Sequence, residues 1–214
     1  IIPYIIPGRT GAQMLPEDLA LLYQSHPNVG PVKEATADPD NMRRTRECCG
    51  PKYTILSGDD GMTYEMMTDP AIKAAGVISV ASNVAPKAIT EMVQLLSQGN
   101  QAEAKTLMLK LEPLFNLVTV KTTEKTAFGE VVCRARNPVA YKALMSILGM
   151  PAGGCRPPLG KLTQNGVNVV LEAARKVHAN APDILQPVAN FFNVDIGQRL
   201  ENPENWKGLY YEDY

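Results

Sequence analysis

The segment NVGPVKEATAD, residues 28–38, sets the ammonium group of Lys33 directly after an apolar stretch and ahead of small and acidic residues. A lysine at the end of a strand is, on residue type alone, a solvated charge. If its stem lies in apolar surroundings, burial penalises the charged form, and the neutral amine that results attacks carbonyl carbons to form Schiff bases. Two further side chains could serve such an amine. Tyr4 carries a phenol able to move protons, and Arg9 offers a planar fork of donors matched to a carboxylate. Asp59 and Asp60 invite a metal reading, but adjacent residues at a strand end point apart, so we read them as caps that order the next loop or helix. The cysteines, Cys48, Cys49, Cys133 and Cys155, include no CxxC pair, and His26 and His178 are the only histidines, so no metal is assigned. The thiols read as reduced and incidental, in keeping with an intracellular setting. GCRPPLGKL resembles a phosphate loop only superficially, since its glycines are too far apart and a Leu follows Lys161.

These residues must be held by a frame, and the chain alternates short apolar runs with amphipathic segments. YIIPG, VGPV (ending at Lys33), YTILSGDDG and GVISVASN read as four strands. LPEDLALLYQSHP follows the first, with Pro16 in the first helical turn and Leu19, Leu22 and Tyr23 at helical spacing. APKAITEMVQLLSQGN follows the fourth, with Ile89, Met92, Val93 and Leu96 on one face and Gly99 as its stop. AEAKTLMLKLEPLF predicts another helix that ends or breaks near Pro113. Apolar strands alternating with helices argue for a parallel sheet of the α/β class, at the spacing of a β/α barrel. An eight-unit barrel needs about 250 residues, so four units predict half a barrel. An all-helical region follows, in which RNPVAYKALMSILGM is helical from about Pro138 to Leu148. In NGVNVVLEAARKVHA the stripe Val167, Val170, Leu171, Ala174 and Val177 faces a core. The ending LENPENWKGLYYEDY, with the single Trp and three tyrosines, suggests a docking segment.

In a parallel barrel the C-terminal strand ends form the reactive rim. That places Tyr4 with Arg9, Lys33, residues 57–60 and residues 79–83 together, with Lys33 as the Schiff-base candidate.

Composition narrows the partners. The 214 residues are 45% hydrophobic and 20% charged with a formal net charge of -1, ordinary for a chain that buries a real core. The longest basic cluster, Arg43, Arg44 and Arg46, is interrupted by Thr45 and followed by Glu47, and reads as a solvated helix face; no nucleic-acid partner is expected. No run approaches the roughly 18 apolar residues of a membrane span, and the N-terminus lacks the pattern of a signal peptide. The chain opens on IIPYIIPGRTG without an initiator Met, and reads as starting in mid-domain.

PYIIPGRTG, VGPVKEA, LSGDD and GVISVASNVAP, in that order, resemble the dihydrodipicolinate synthase family, and the similarity continues through RNPVAYKALMSILGM and GGCRPPLGKL, to about residue 175. The resemblance implies the C-terminal half of a (β/α)8 TIM barrel: residues 1–135 as strands 5–8 with their helices, and residues 136–214 as a helical C-terminal region with a tail from about 180. It implies a hydro-lyase of the lysine and diaminopimelate pathway that condenses pyruvate with L-aspartate 4-semialdehyde to 4-hydroxy-tetrahydrodipicolinate. No cofactor is called for beyond the covalent imine between Lys33 and pyruvate. By the same resemblance Tyr4 relays protons, Arg9 binds the semialdehyde carboxylate, and Gly58 and Ile78 line the pocket through main-chain atoms. The resemblance also implies a homotetramer, in the cytoplasm or in a plastid. The Arg-Thr-Gly after Pro7 and Gly8 favours this member over N-acetylneuraminate lyases and keto-deoxy-sugar-acid aldolases, which remain the alternative activities. Pro3 stands where the family has an aliphatic residue, and Ile5-Ile6 where it has Asn-Val.

The family's first four strands, its pyruvate-carboxylate loop, its second relay tyrosine and its lysine-binding region have no counterpart in residues 1–214. A missing N-terminal half is therefore an expected partner, and a non-catalytic half-barrel chain is the remaining alternative. An isolated half-barrel leaves two sheet edges unpaired and an apolar interior open, which predicts a chain unstable or sticky by itself.

Overall fold

The computed structural model describes residues 1–212 and divides into two compact units, one of Ile1–Ser79 with Thr90–Met108, the other of Val80–Ile89 with the chain from Leu109 onward. In the first unit, strands β1 (Tyr4–Ile5), β2 (Val32–Glu34), β3 (Ile55–Ser57) and β4 (Gly76–Val77) form a parallel sheet in sequence order. β2 continues one residue past Lys33, so the lysine sits within the strand; β2 ends two residues beyond the apolar run VGPV, and Glu34 is buried too.

Helices connect the strands: α1 (Pro7–Thr10) and α2 (Pro16–Ser25) between β1 and β2, α3 (Pro39–Cys49) between β2 and β3, and α4 (Thr63–Thr68) between β3 and β4. Local chemistry sets their ends. Pro16 opens α2 where no amide donor is needed, and Glu17 and Asp18 in its first turn complement the helix dipole. The Asp38 carboxylate caps α3 by accepting from the amides of Asp40 at 3.0 Å and Asn41 at 3.2 Å. Ile5, Val32 and Ile55 from the sheet meet Leu19 of α2, Met42 of α3 and Met66 of α4 in one apolar core. At roughly 1.5–3 kcal/mol for each buried aliphatic side chain, this layer supplies the main driving force of the unit.

Helices α5 (Pro86–Ser97) and α6 (Gln101–Phe115) follow the sheet, with Ile89, Met92 and Leu96 of α5 buried and Val93 half-buried. The second unit then departs from expectation. Residues 119–136 form an antiparallel hairpin of β5 (Thr119–Thr126) and β6 (Gly129–Arg136), which the residue pattern did not announce because its strands are mostly polar and exposed. Beyond it lie α7 (Val139–Ile147), α8 (Gln164–Asn180), α9 (Gln186–Phe192) and α10 (Ile196–Glu201). The buried stripe of α8 contains Val167, Val170, Leu171, Ala174 and Val177, as its spacing requires. This region is not wholly helical, since Leu162 and Tyr210 form an isolated parallel bridge.

The tail docks on its own chain. Arg199 donates to the carbonyls of Ile147 at 2.7 Å and Ser146 at 2.9 Å, and Tyr211 N–H to the carbonyl of Leu162 at 3.1 Å. Gly160, at φ +60, permits this closure, because a Cβ there would run into the Tyr211 hydroxyl. Of the three terminal tyrosines, Tyr214 lies outside the described residues.

The basic cluster on α3 is not uniformly solvated. Arg43 pairs with Asp40 and Asp69, and Arg44 with Glu17 and Glu47, at the surface. Arg46 instead turns inward and donates to the carbonyls of Gly50, Tyr53, Ile72 and Lys73, stitching the end of α3 to the loops before β3 and β4. A guanidinium supplies several donors at once, which suits carbonyls gathered from separate loops. Arg46→Ala is therefore expected to lower stability by about 2–4 kcal/mol, whereas Arg44→Ala, which removes only exposed pairs, leaves the unfolding midpoint unchanged within error; urea unfolding followed by circular dichroism measures both.

Candidate active site

The position of Lys33 follows from strand alternation. Val32 and Glu34 are both fully buried, and with a side-chain period of two, Lys33 must point to the opposite face of the sheet. Register extends that row sideways. Tyr4 of β1 pairs with Lys33, and Lys33 with Leu56 of β3. In-register residues of parallel strands face the same way, so Tyr4, Lys33 and Leu56 line one face while Ile5, Val32 and Ile55 line the helix-covered one. Lys33 N–H donates to the carbonyl of Pro3 at 2.8 Å, which locks the pairing; Pro3 lacks a donor but is used only as an acceptor here, so the substitution is compatible with the ladder.

Side-chain geometry completes the pairing. The Lys33 ammonium lies 4.0 Å from the centroid of the Tyr4 ring. Desolvation is the dominant influence on the amine and pushes its pKa below the ordinary lysine value, while the carboxylate of Asp60 pulls it back upward. Contact with the ring face also favours the cation, by about 0.5–1 kcal/mol at a partly exposed site. Tyr4 is shifted the other way, upward, first by burial, with Arg9 opposing and Asp59 reinforcing. The phenol is thus held in its neutral, proton-bearing form, beside an amine biased toward losing its proton.

Gly58 explains how close the next strand can come. Its N–H donates to the Glu34 carbonyl at 2.7 Å, and a Cβ added there would lie 2.9 Å from Ala35 Cβ and 3.0 Å from Lys33 Cγ. Only the absence of a side chain lets the backbone after β3 rest against the lysine stem. That backbone is held by a compact hydroxyl network: Ser57 Oγ donates to the Asp59 carbonyl at 2.7 Å, and Thr63 Oγ1 to Ser57 Oγ at 3.1 Å. Ile78, 39% exposed, follows β4 and donates its N–H to the Ser57 carbonyl at 2.8 Å, one residue from Gly58.

The expected residues thus fall into two groups. Tyr4, Lys33 and Gly58 are in direct proximity, and Ile78 joins them through the main chain of Ser57. Arg9 lies in helix α1, not in an open loop, and reaches the group electrostatically through Tyr4. Of the expected rim segment 79–83, Ser79 belongs to the first unit and the other residues to the second. Asp59 caps a 3-10 turn by accepting from Gly61 N–H at 2.9 Å, as read from its position, whereas Asp60 has the further role of biasing Lys33 toward its charged form. Residue order did not reveal that role, because adjacent carboxylates diverge and only the turn decides which one faces the amine.

Glu34 was also missed. It is fully buried, accepts from Thr36 N–H at 2.8 Å and Asn41 Nδ2 at 3.4 Å, and its carboxyl is pushed above the usual range, chiefly by burial. A signal existed in the sequence, since strand alternation puts Glu34 on the Val32 face. Among the described residues no group of three or more His, Cys, Asp or Glu side chains converges as a metal site, and no helix is long and apolar enough to cross a membrane.

Comparison with known proteins agrees with the residue pattern. A model of the dihydrodipicolinate synthetase family matches residues 1–176. The chain is 35% identical over 177 residues to 4-hydroxy-tetrahydrodipicolinate synthase of Sulfurihydrogenibium sp. (strain YO3AOP1), covering 82% of this chain and 55% of that protein. It is 34% identical over 181 residues to the protein of the same name from Methanoculleus marisnigri, covering 84% of this chain and 55% of the other. Among solved structures, dihydrodipicolinate synthase from Aquifex aeolicus superposes with a TM-score of 0.70 at 28% identity, over 86% of this chain and 56% of that one. The Thermotoga maritima enzyme superposes at 0.69 and 29% identity, over 83% and 55%. The chain spans about half the length of the curated relatives it matches, 55% in the case of the Sulfurihydrogenibium protein. With a family match running from Ile1 through Lys176 and enclosing Tyr4, Arg9, Lys33, Gly58 and Ile78, the chain belongs to the dihydrodipicolinate synthetase family.

Proposed function

We propose that this chain carries the Schiff-base centre of a pyruvate-dependent lyase that condenses pyruvate with L-aspartate 4-semialdehyde. The observation that carries the reading is the desolvated Lys33 amine, 4.0 Å from the ring of Tyr4 on the open face of the sheet. The neutral amine adds to the C2 carbonyl of pyruvate, and loss of water leaves the imine. Its protonated form withdraws electrons from C3, a C3 proton leaves, and the enamine attacks the aldehyde carbon of the second substrate. Tyr4, a neutral phenol, carries protons to the departing water and from the nitrogen. Arg9 binds the carboxylate of the aldehyde substrate, while the main chain at Gly58 and Ile78 walls the pocket.

The half-length match to relatives and the single-sided pairing of β1 and β4 support the accompanying architectural reading. In it, residues 1–135 are strands 5–8 of a (β/α)8 barrel with their helices, residues 136–214 are its C-terminal region, and the remaining strands come from a first half. An aldolase acting on a sugar-derived aldehyde shares every step through the enamine, and is distinguished by which aldehyde is consumed.

Trapping with borohydride tests the reading at its root. Incubation with pyruvate and borohydride is expected to leave one reduced pyruvyl adduct on the peptide containing Lys33, seen by intact mass and peptide mapping, and none in Lys33→Ala; a folded chain with no adduct overturns the reading. The rate of trapping should rise with pH, because only the neutral amine adds, with a midpoint below that of an ordinary lysine. Asp60→Asn removes the charge that favours the ammonium and should move that midpoint to lower pH still. Tyr4→Phe should keep the adduct but slow enamine-dependent hydrogen exchange at pyruvate C3, followed by NMR in deuterated water, by about 10²–10⁴-fold.

A further inference from the structure

Among the described residues β6 pairs with no strand but β5, and the chemistry of its outer edge around Val132 identifies what fits there. The hairpin stands as a separate two-stranded sheet. One of its faces packs inward: Val120 and Glu124 are buried, Asn165 Nδ2 donates to Glu124 at 2.8 Å, and the hydroxyls of Thr122 and Thr163 lie 3.2 Å apart. The register pairs Val120, Thr122 and Glu124 with Ala135, Cys133 and Val131, which therefore share that face. Glu130, Val132 and Arg134 point to the other side, where Val132 is 70% exposed.

Main-chain direction follows from one further bond. Asn137 N–H donates to the Val118 carbonyl at 2.8 Å, one step beyond the Thr119–Arg136 pair. Hydrogen-bonded pairs alternate in an antiparallel ladder, so Ala135, Cys133 and Val131 direct their main-chain groups to β5. Glu130, Val132 and Arg134 direct theirs outward, along the open edge. These three central residues of the edge are thus also ones whose side chains stand on the exposed face.

We propose that this edge pairs with the same edge of a second copy of the chain, giving a continuous antiparallel sheet in the order β5-β6-β6-β5 about a two-fold axis at Val132. Centred there, Val132 meets Val132 of the second copy, Glu130 meets Arg134 of the second copy, and Arg134 meets Glu130 of the second copy. The outward-directed main-chain groups of Glu130, Val132 and Arg134 then each find an antiparallel partner. The charges argue for this occupant over another strand. Within one hairpin Arg134 lies opposite Lys121, a like-charge pair, while Glu130 lies opposite Lys125; directly opposed like charges destabilise a sheet. Dimerisation inserts a carboxylate beside the Arg134–Lys121 pair in both copies at once. Shifting the pairing so that Val132 faces Arg134 loses the apolar contact, so the sequence selects the register as well as the partner. The interface is isologous, as a two-fold requires, and it stands independently of the lysine chemistry.

Sedimentation velocity across protein concentrations, with circular dichroism to verify folding, tests the proposal on the full chain. A concentration-dependent dimer is expected, weakened about tenfold or more by Glu130→Arg alone or by Arg134→Glu alone, since each places like charges in contact twice per interface. The double variant Glu130→Arg/Arg134→Glu restores complementarity and should restore the dimer. Opposed residues in a hydrogen-bonded antiparallel pair have Cα atoms about 5.5 Å apart, within disulfide reach, so Val132→Cys in a Cys133→Ser background should give an oxidised dimer linked between the two copies of residue 132. A chain monomeric throughout, or an oligomer indifferent to the single reversals, overturns the proposal, as does failure of the double variant to recover.

Discussion

Parallel pairing of β1 with β2 in the Tyr4-to-Lys33 register is the constraint on which the candidate site depends. The helix-covered face is chosen by hydrophobic burial, because Ile5, Val32 and Ile55 belong to one apolar core with Leu19, Met42 and Met66. Once those residues face the helices, alternation leaves Lys33 no option but the other face, and register sets Tyr4 beside it. A slip of one residue would bury the amine among aliphatic side chains and expose Val32. The arrangement of the candidate site is thus fixed by the same burial that stabilises the unit.

The amine is poised by competition. Burial disfavours the ammonium, while the Asp60 carboxylate and the Tyr4 ring favour it. A lysine stripped of all compensation would cost the fold stability at neutral pH, and one fully paired with a carboxylate would be a poor nucleophile. In the observed balance desolvation outweighs the Asp60 carboxylate, which lowers the amine's pKa from the ordinary lysine value. Gly58 contributes by permitting the backbone to press against the lysine stem, which helps produce that desolvation.

The second unit shows two different ways of handling exposed structure. The tail is tied back on its own chain, through Arg199 to the end of α7 and through Tyr211 to Leu162. Among the described residues the hairpin's β6 pairs only with β5, and natural sheets usually blunt such an edge because it invites pairing. Here Glu130 and Arg134 flank Val132, a charge pattern complementary to its own antiparallel copy. Polar strands of this kind carry little hydrophobic periodicity, so the hairpin left almost no trace in the pattern of apolar residues.

The α/β class, the four strand positions and the stripe of α8 were legible in the order of residues, because periodic burial writes itself into hydrophobic spacing. The motifs around Tyr4, Arg9, Lys33, Gly58 and Ile78 were legible as a family resemblance. Other features were not. Arg46 reads as one of three surface arginines, yet it serves four carbonyls contributed by two loops, a demand that exists only once those loops are folded together. Asp59 and Asp60 are indistinguishable by position, and the turn alone gives one to a cap and the other to the field at Lys33. The sequence by itself determined which residues could do chemistry and which faces must be buried, since both depend on residue type and local period. Only the tertiary structure decided which of those groups feel one another, because proximity across strands, desolvation and main-chain demand are properties of pairs that chain order does not record.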